Sequence, residues 1–281
     1  MSNFEFIRAT DIHSACSALK NPGYMAVAGG SDLIVKIRNG MYPDLKGLVD
    51  LSGLEQLNQI RTDENKVIIG SGCTMNQIVN DRLLQDYFPV LTKAAATVGA
   101  LQIRNSATIG GNVANASPAG DTIPALYVLE ARVVVTGVNG SRKIPIEEFF
   151  ISPGKSKLEP GEIIEGFRLL LNKTRGEFLK LGERRAHAIS KINLAVSTWN
   201  DGRDHYRIAM GSVAPTVLRC KEAEEYLENC EKISPEAIAR AAEIASNTAR
   251  PISDLRSTKA YRKQMAGVLL SRALNKLIQS A

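Results

Sequence analysis

The chain has 281 residues and a formal net charge of +6, with 44% hydrophobic and 23% charged side chains. That length accommodates two domains or one large one around a full core, and the composition is that of an ordinary globular protein. No apolar run approaches the roughly 18 residues of a membrane span. An aromatic content of 5% leaves too few stacking platforms for a nucleic-acid binder, and the start, Met1 to Phe6, lacks a basic-then-apolar leader, which predicts a cytoplasmic protein.

In chain order, residues 24–28 read as a short buried strand that enters the turn Ala28-Gly29-Gly30-Ser31. Asp32 to Arg38 reads as a helix. Asp32 at its start suits the helix dipole, and Asn39-Gly40 ends it. Gly47–Leu51 and Lys66–Gly70 read as strands, and 74–81 and 88–98 as helices. A second glycine turn, Thr108-Ile109-Gly110-Gly111-Asn112, opens a small-residue segment from Val113 to Gly120. Thr122–Glu130 then reads as a helix and Ala131–Thr136 as a strand, with a hairpin signal at Asn139-Gly140. Beyond a change in character at 172–176 come a strand at Glu177–Leu181 and a hairpin. The hairpin arms are Asn193–Trp199 and His205–Gly211, turning at Asn200-Asp201-Gly202. Helices follow at Leu218–Leu227, Pro235–Asn247 and Thr258–Ile278. Alternating short strands and helices predict an α+β architecture.

The two glycine segments carry the chemistry. Glycine allows positive φ and close backbone approach, and successive amides in such a turn can cradle an anion. Two such turns facing each other suit a diphosphate, so a dinucleotide is the first ligand to consider. Neither segment is GxGxxG, and no Gly-Lys-Ser/Thr follows, which disfavours a classical Rossmann site or a P-loop. Ser31, Thr108 and Asn112 can donate to phosphate oxygens. Asp121 is either a helix N-cap or an acceptor for a ribose hydroxyl or adenine amino group. Lys180 is a surface lysine or a ligand group. It belongs with Arg184, Arg185 and Lys191 to the densest basic group, a solvated face, an anion contact or a subunit interface. Trp199 reads as a core residue. Cys16, Cys73, Cys220 and Cys230 form no CxxC pair, and the chain has three histidines. The reading is buried free thiols, no metal site and no hydrolytic triad.

The chain resembles the FAD-binding subunits of molybdenum hydroxylases, the group of xanthine dehydrogenase and the medium subunit of aerobic carbon monoxide dehydrogenase. The resemblance spans nearly the whole chain. It rests on Ala28-Gly29-Gly30-Ser31-Asp32-Leu33, on Gln102 to Asn112, and on Ala116-Ser117-Pro118-Ala119-Gly120-Asp121. Pro160 to Ile164, Lys180 with Arg184-Arg185, and Gly211 to Thr216 follow in order.

The resemblance implies an FAD-binding domain of the vanillyl-alcohol-oxidase (PCMH) type over 1–173, with subdomains of about 1–54 and 55–173. A C-terminal α+β domain, an antiparallel sheet with helices, would occupy 176–281. Ala26, Val27, Ala28, Gly29, Gly30, Ser31, Asp32 and Leu33 would wrap the FAD diphosphate from one side. Thr108, Gly111 and Asn112, with Ala107 and Ala114, would hold it from the other. Val98 and Gly120 complete the expected set. Asp121 would meet the adenosine part, Lys180 would lie near the flavin ring, and Ile164 would give a backbone contact. No acid–base dyad is expected, since the cofactor carries the chemistry.

The implied role is electron transfer. Electrons would arrive from a small partner chain with two [2Fe-2S] clusters and pass to NAD or another acceptor. A molybdopterin-bearing large chain would oxidise the substrate, and the whole would form a dimer of heterotrimers. Gly-Gly-Ser-Asp-Leu and Gly-Gly-Asn look more like hydroxylases of purines, nicotinate or other N-heterocycles than like carbon monoxide or aldehyde dehydrogenases. The absence of an inserted cysteine loop argues against an extra [4Fe-4S] cluster. A stand-alone flavoenzyme resembling UDP-N-acetylenolpyruvoylglucosamine reductase, or a binding module that has lost FAD, are the alternatives.

Overall fold

The computed structural model describes residues 4–184 and 187–279; Arg185 lies outside them. The first lobe contains β1 (Glu5–Arg8), α1 (Ile12–Leu19), β2 (Tyr24–Val27), α2 (Leu33–Arg38) and β3 (Gly47–Asp50). Its sheet runs β1-β3-β2, with β3 parallel to both neighbours. Parallel strands need crossovers, which α1 and α2 supply. A capping box starts α1: the Asp11 carboxylate accepts from Ser14 N–H, and the Ser14 hydroxyl accepts from Asp11 N–H. Ala15, Cys16 and Leu19 then pack on Val49 and Leu51. By contrast, α2 buries no residue.

The second lobe begins with β4 (Ile60–Asp63) and β5 (Lys66–Gly70). Six short helices follow: α3 (Met75–Asn80), α4 (Arg82–Tyr87), α5 (Pro89–Ala96), α6 (Leu101–Arg104), α7 (Ile109–Ala114) and α8 (Thr122–Val128). The lobe closes with β6 (Arg132–Gly137), β7 (Gly140–Pro145), α9 (Ile146–Phe149), β8 (Phe150–Ser152), β9 (Lys155–Ser156) and β10 (Ile163–Leu170). An antiparallel sheet forms in the order β4-β5-β10-β6-β7. Period-two positions Val67, Ile69, Val133, Val135, Phe167 and Leu169 point to one core. In the β6–β7 hairpin Gly137 pairs with Gly140, so Val138 and Asn139 make the turn and Gly140 (φ +122°) starts the return strand.

In the third lobe, β11 (Arg175–Leu181), β12 (Ile192–Asn200), β13 (Asp204–Gly211) and β14 (Leu218–Arg219) form an antiparallel sheet in that order. Helices α10 (Lys221–Glu228), α11 (Pro235–Thr248) and α12 (Lys259–Gln279) complete it. The expected helix from Leu218 starts later, because Leu218 and Arg219 pair with Met210 and Ala209. Both faces of this sheet are covered. Leu194, Val196, Ile208 and Met210 pack with α11 and α12. Phe178, Ala195 and Ala209, on the other face, join the core of the second lobe beneath α5 and α8. Small side chains there let the helices approach closely, so one core runs across residues 171–174. Among the described residues no helix is long and apolar enough to cross a membrane.

Trp199 departs from its expected place in the core. It is half-buried, stacked on His205 at 4.9 Å with the Arg207 guanidinium 4.8 Å from its ring centroid. Cys16, Cys73 and Cys220 are buried free thiols and Cys230 is half-buried. Burial pushes the Cys73 thiol up to about 11.

Candidate cofactor site

The two glycine segments meet directly. A Cβ on Gly29 would lie 1.9 Å from the Ser106 carbonyl oxygen, so only glycine permits the approach. Gly30 has φ +64°, a second reason for glycine in the turn. Beyond β2 the chain turns without spending its amides: the N–H groups of Gly30, Ser31 and Asp32 have no acceptor among the described residues. They form a donor-rich turn of the kind that binds anions. Asp32 does not cap α2 through its side chain. It pairs instead with Lys36 at 2.6 Å, and Lys36 also reaches Asn115, tying α2 to the second lobe.

The second glycine segment works differently from the expected turn. Gly110 and Gly111 lie inside α7, and their amides are occupied. Ile109 N–H donates to Cys73 O, Gly110 N–H to Ser71 O, Gly111 N–H to the Thr108 hydroxyl oxygen and Asn112 N–H to Thr108 O. This segment therefore offers no second nest of amides. It offers side chains and open space. Asn112 lines the cleft, its Oδ1 held by Thr122 Oγ1 at 2.7 Å. A Cβ on Gly111 would meet only Thr108 Oγ1, at 3.0 Å, and the residue is exposed.

All three lobes line one cleft of about 650 Å³, within the roughly 300–1,000 Å³ usual for cofactor sites. Asp32 comes from the first lobe, Asn112, Asn115 and residues 117–121 from the second, and Lys180, Ser190, Ser212 and Arg262 from the third. At its base Asp121 is 6% exposed. Its backbone sits at the N-cap of α8, but its side chain makes no cap bond. The carboxylate turns inward instead. It accepts from Lys180 Nζ at 2.5 Å, Ser190 Oγ at 2.6 Å and Asn193 Nδ2 at 2.9 Å. Lys180 Nζ also donates to Thr97 O at 3.1 Å. Asp121 and Lys180 therefore sit together at one point of the cleft rather than at its two ends.

Five of the sequence-predicted residues line this cleft: Asp32, Asn112, Gly120, Asp121 and Lys180. Val27 and Leu33 pack into the small core of the first lobe. Ala107 and Ile164 are buried in the second-lobe core, with Val98 packed against it. Thr108 spends its hydroxyl oxygen as the α7 cap. Ala26, Ala28, Gly29, Gly30, Ser31, Gly111 and Ala114 are outside the cleft lining. The basic group is also divided: Lys180 is half-buried and paired with Asp121, Lys191 pairs with Glu183 at 3.4 Å, and Arg184 is exposed. Sequence reasoning missed Asn115, Ser190, Asp254 and Arg262 as site residues. None lies in a local motif with an evident ligand chemistry, and only tertiary packing brings them together. Among the described residues no three His, Cys, Asp or Glu side chains converge on a metal position.

The free amides, the open side of Gly111 and a largely apolar cleft with a few polar groups fit an extended dinucleotide. Comparison with known proteins gives the same direction. Residues 2–169 match the FAD binding domain in molybdopterin dehydrogenase, and residues 177–277 match the CO dehydrogenase flavoprotein C-terminal domain. The chain is 31% identical to the carbon monoxide dehydrogenase medium chain of Hydrogenophaga pseudoflava, covering 97% of this chain and 96% of that one. It is 28% identical to the xanthine dehydrogenase FAD-binding subunit of Escherichia coli O157:H7, covering 98% and 96%. A chain in the crystal structure of cyanide-inactivated Cu,Mo-CO dehydrogenase superposes with a TM-score of 0.93 at 27% identity, covering 100% and 99%.

Proposed function

This chain belongs to the FAD-binding subunits of molybdopterin dehydrogenases, and from that membership we propose that it carries electrons through an FAD held in the three-lobed cleft. When bound, FAD supplies one- and two-electron chemistry; the protein binds and orients it. The observation that carries the reading is the run of unpaired amides at Gly30, Ser31 and Asp32 beside a cleft that ends at the Asp121–Lys180 pair. Those amides receive the diphosphate. Residues 26–33 wrap it from one side. Thr108, Gly111 and Asn112, with Ala107 and Ala114, approach from the other, where Gly111 leaves room. Lys180, steadied by Asp121 and Thr97 O, keeps an N–H for the ring edge of the flavin. Asp121 thus serves the ring end rather than the adenosine.

Electrons arrive from a [2Fe-2S] small chain and leave to NAD or another acceptor. A molybdopterin-bearing large chain oxidises the substrate, an N-heterocycle of the purine or nicotinate type. The complex is a cytoplasmic dimer of heterotrimers. The relatives named for xanthine and for carbon monoxide stand at similar identity, and the substrate is decided on the large chain. The test is the visible spectrum of the purified chain, with the chromophore identified after heat release. Non-covalent FAD is the expected result. A colourless chain that takes up no added FAD overturns the reading.

A further inference from the structure

Residues 250–258 cross from α11 to α12 along the third-lobe side of the cleft, and Ile252, Asp254 and Arg256 line it. Little apolar burial holds this strap down: Pro251 is buried, but Ile252 and Leu255 are 67% and 107% exposed. Its tie is ionic. Asp254 Oδ1 accepts from Arg262 Nη2 at 2.6 Å, and from the amides of Arg256 and Ser257 at 2.9 and 3.1 Å. Burial opposes the Asp254 charge, yet the Arg262 hydrogen bond and the two amides hold its carboxyl below the usual carboxylate range. The strap is therefore anchored at neutral pH.

Arg262, in the first turn of α12, is 5% exposed and lines the same cleft. Its Nη1 donates to Ser212 O at 3.3 Å, and its Nε is buried without a partner. A guanidinium so placed is a weak source of net stability; what it does is join parts. Ser212 has φ +61°, donates its N–H to Pro118 O at 2.8 Å and its hydroxyl to Ser190 O at 3.1 Å. Ser190 in turn donates to Asp121. One side chain thus links the strap to the loop that supports the Asp121–Lys180 pair.

We propose that Arg262 is a positioning residue which, through Asp254, holds the 250–258 strap as a wall that retains and shields the FAD. The inference rests on the FAD reading above. Its test is hydrogen–deuterium exchange of 250–258 with and without FAD, together with flavin release rates and iodide quenching of flavin fluorescence. These are measured in the full chain, in Arg262→Gln, in Arg262→Lys and, should the buried site fail to fold, in Asp254→Asn. FAD slows strap exchange in the parent. Arg262→Gln and Asp254→Asn speed both strap exchange and FAD release about tenfold while β12 and β13 stay protected. Arg262→Lys lies between, and quenching rises in the same order. FAD binding with no change in strap exchange, or parental release rates in the variants, overturns the wall and leaves the FAD reading standing. A parent that takes up no FAD overturns both.

Discussion

Gly29 and Gly111 sit in similar dipeptides and do different work. Gly29→Ala drives a Cβ into the Ser106 carbonyl, so it lowers the melting temperature of the apo chain. Gly111→Val enters exposed space next to Thr108 Oγ1. It changes apo stability by less than about 1 kcal/mol and abolishes FAD retention. Melting curves and flavin content separate the two; equal melting loss would show that both glycines are only structural. Asp121→Ala takes the carboxylate from the half-buried Lys180 ammonium, which keeps its bond to Thr97 O; it costs the apo chain about 1–3 kcal/mol, and it also weakens FAD. Calorimetry of the apo chain and FAD titration read both effects. A loss of stability with unchanged affinity would make the pair purely structural. Among the thiols, Cys230 reacts first with an alkylating agent at pH 8 in the native chain. Cys16, Cys73 and Cys220 react only on unfolding, since burial raises all three thiols. Mass spectrometry assigns the order.

At the scale of elements, strand and helix identities follow the apolar pattern, whereas ends and special roles follow tertiary partners. The glycine pair at 110–111 reads as a turn, and Thr108 converts it to the start of α7 by accepting from Gly111 N–H. Leu218 and Arg219 have helical neighbours but are claimed by β13. Between β7 and β10, Arg142 makes two hydrogen bonds to Glu162, at 2.9 and 2.7 Å. Those bonds hold the Glu162 carboxyl below its ordinary value of 4.5, against partial burial. The folded value lies below the unfolded one, so the contribution is complete above about 4.5 and is lost as pH falls through the folded value. The stability gap between parent and Arg142→Met therefore narrows on acidification below pH 4.5. Denaturant melts across that range measure it, and a constant gap would assign Arg142 to packing alone.

Across the whole molecule, the sheet of the third lobe is shared between two cores, and an ionic cluster reinforces the junction. Arg219 makes a two-bond pair with Glu224, at 2.7 and 2.6 Å, and reaches across to Glu147 at 2.7 Å. Arg207 reaches Glu130 at 2.8 Å. Arg219 and Glu224 are both buried. Arg219→Met deprives the Glu224 carboxylate of its cation and costs about 3–5 kcal/mol; Arg219→Met with Glu224→Leu recovers part of this, the rest being lost because Ile208 N–H no longer has its Glu224 acceptor. A double variant as unstable as the single one would show that the pair itself, not the stranded charge, carries the stability.

The sequence alone determined the α+β class and the family, because periodicity and the ordered glycine motifs are local properties of the chain. It also singled out Asp32, Asn112, Gly120, Asp121 and Lys180, which the cleft brings together. Only tertiary structure decided how the motifs divide their labour. Whether an amide is free or occupied depends on a carbonyl far away in sequence, as with Gly110 and Ser71. Whether Asp121 caps a helix or pairs with Lys180 depends on a strand 59 residues further on. Arg262 and Asp254 carry no local signal, and their place in the cleft follows from the packing of α12 alone.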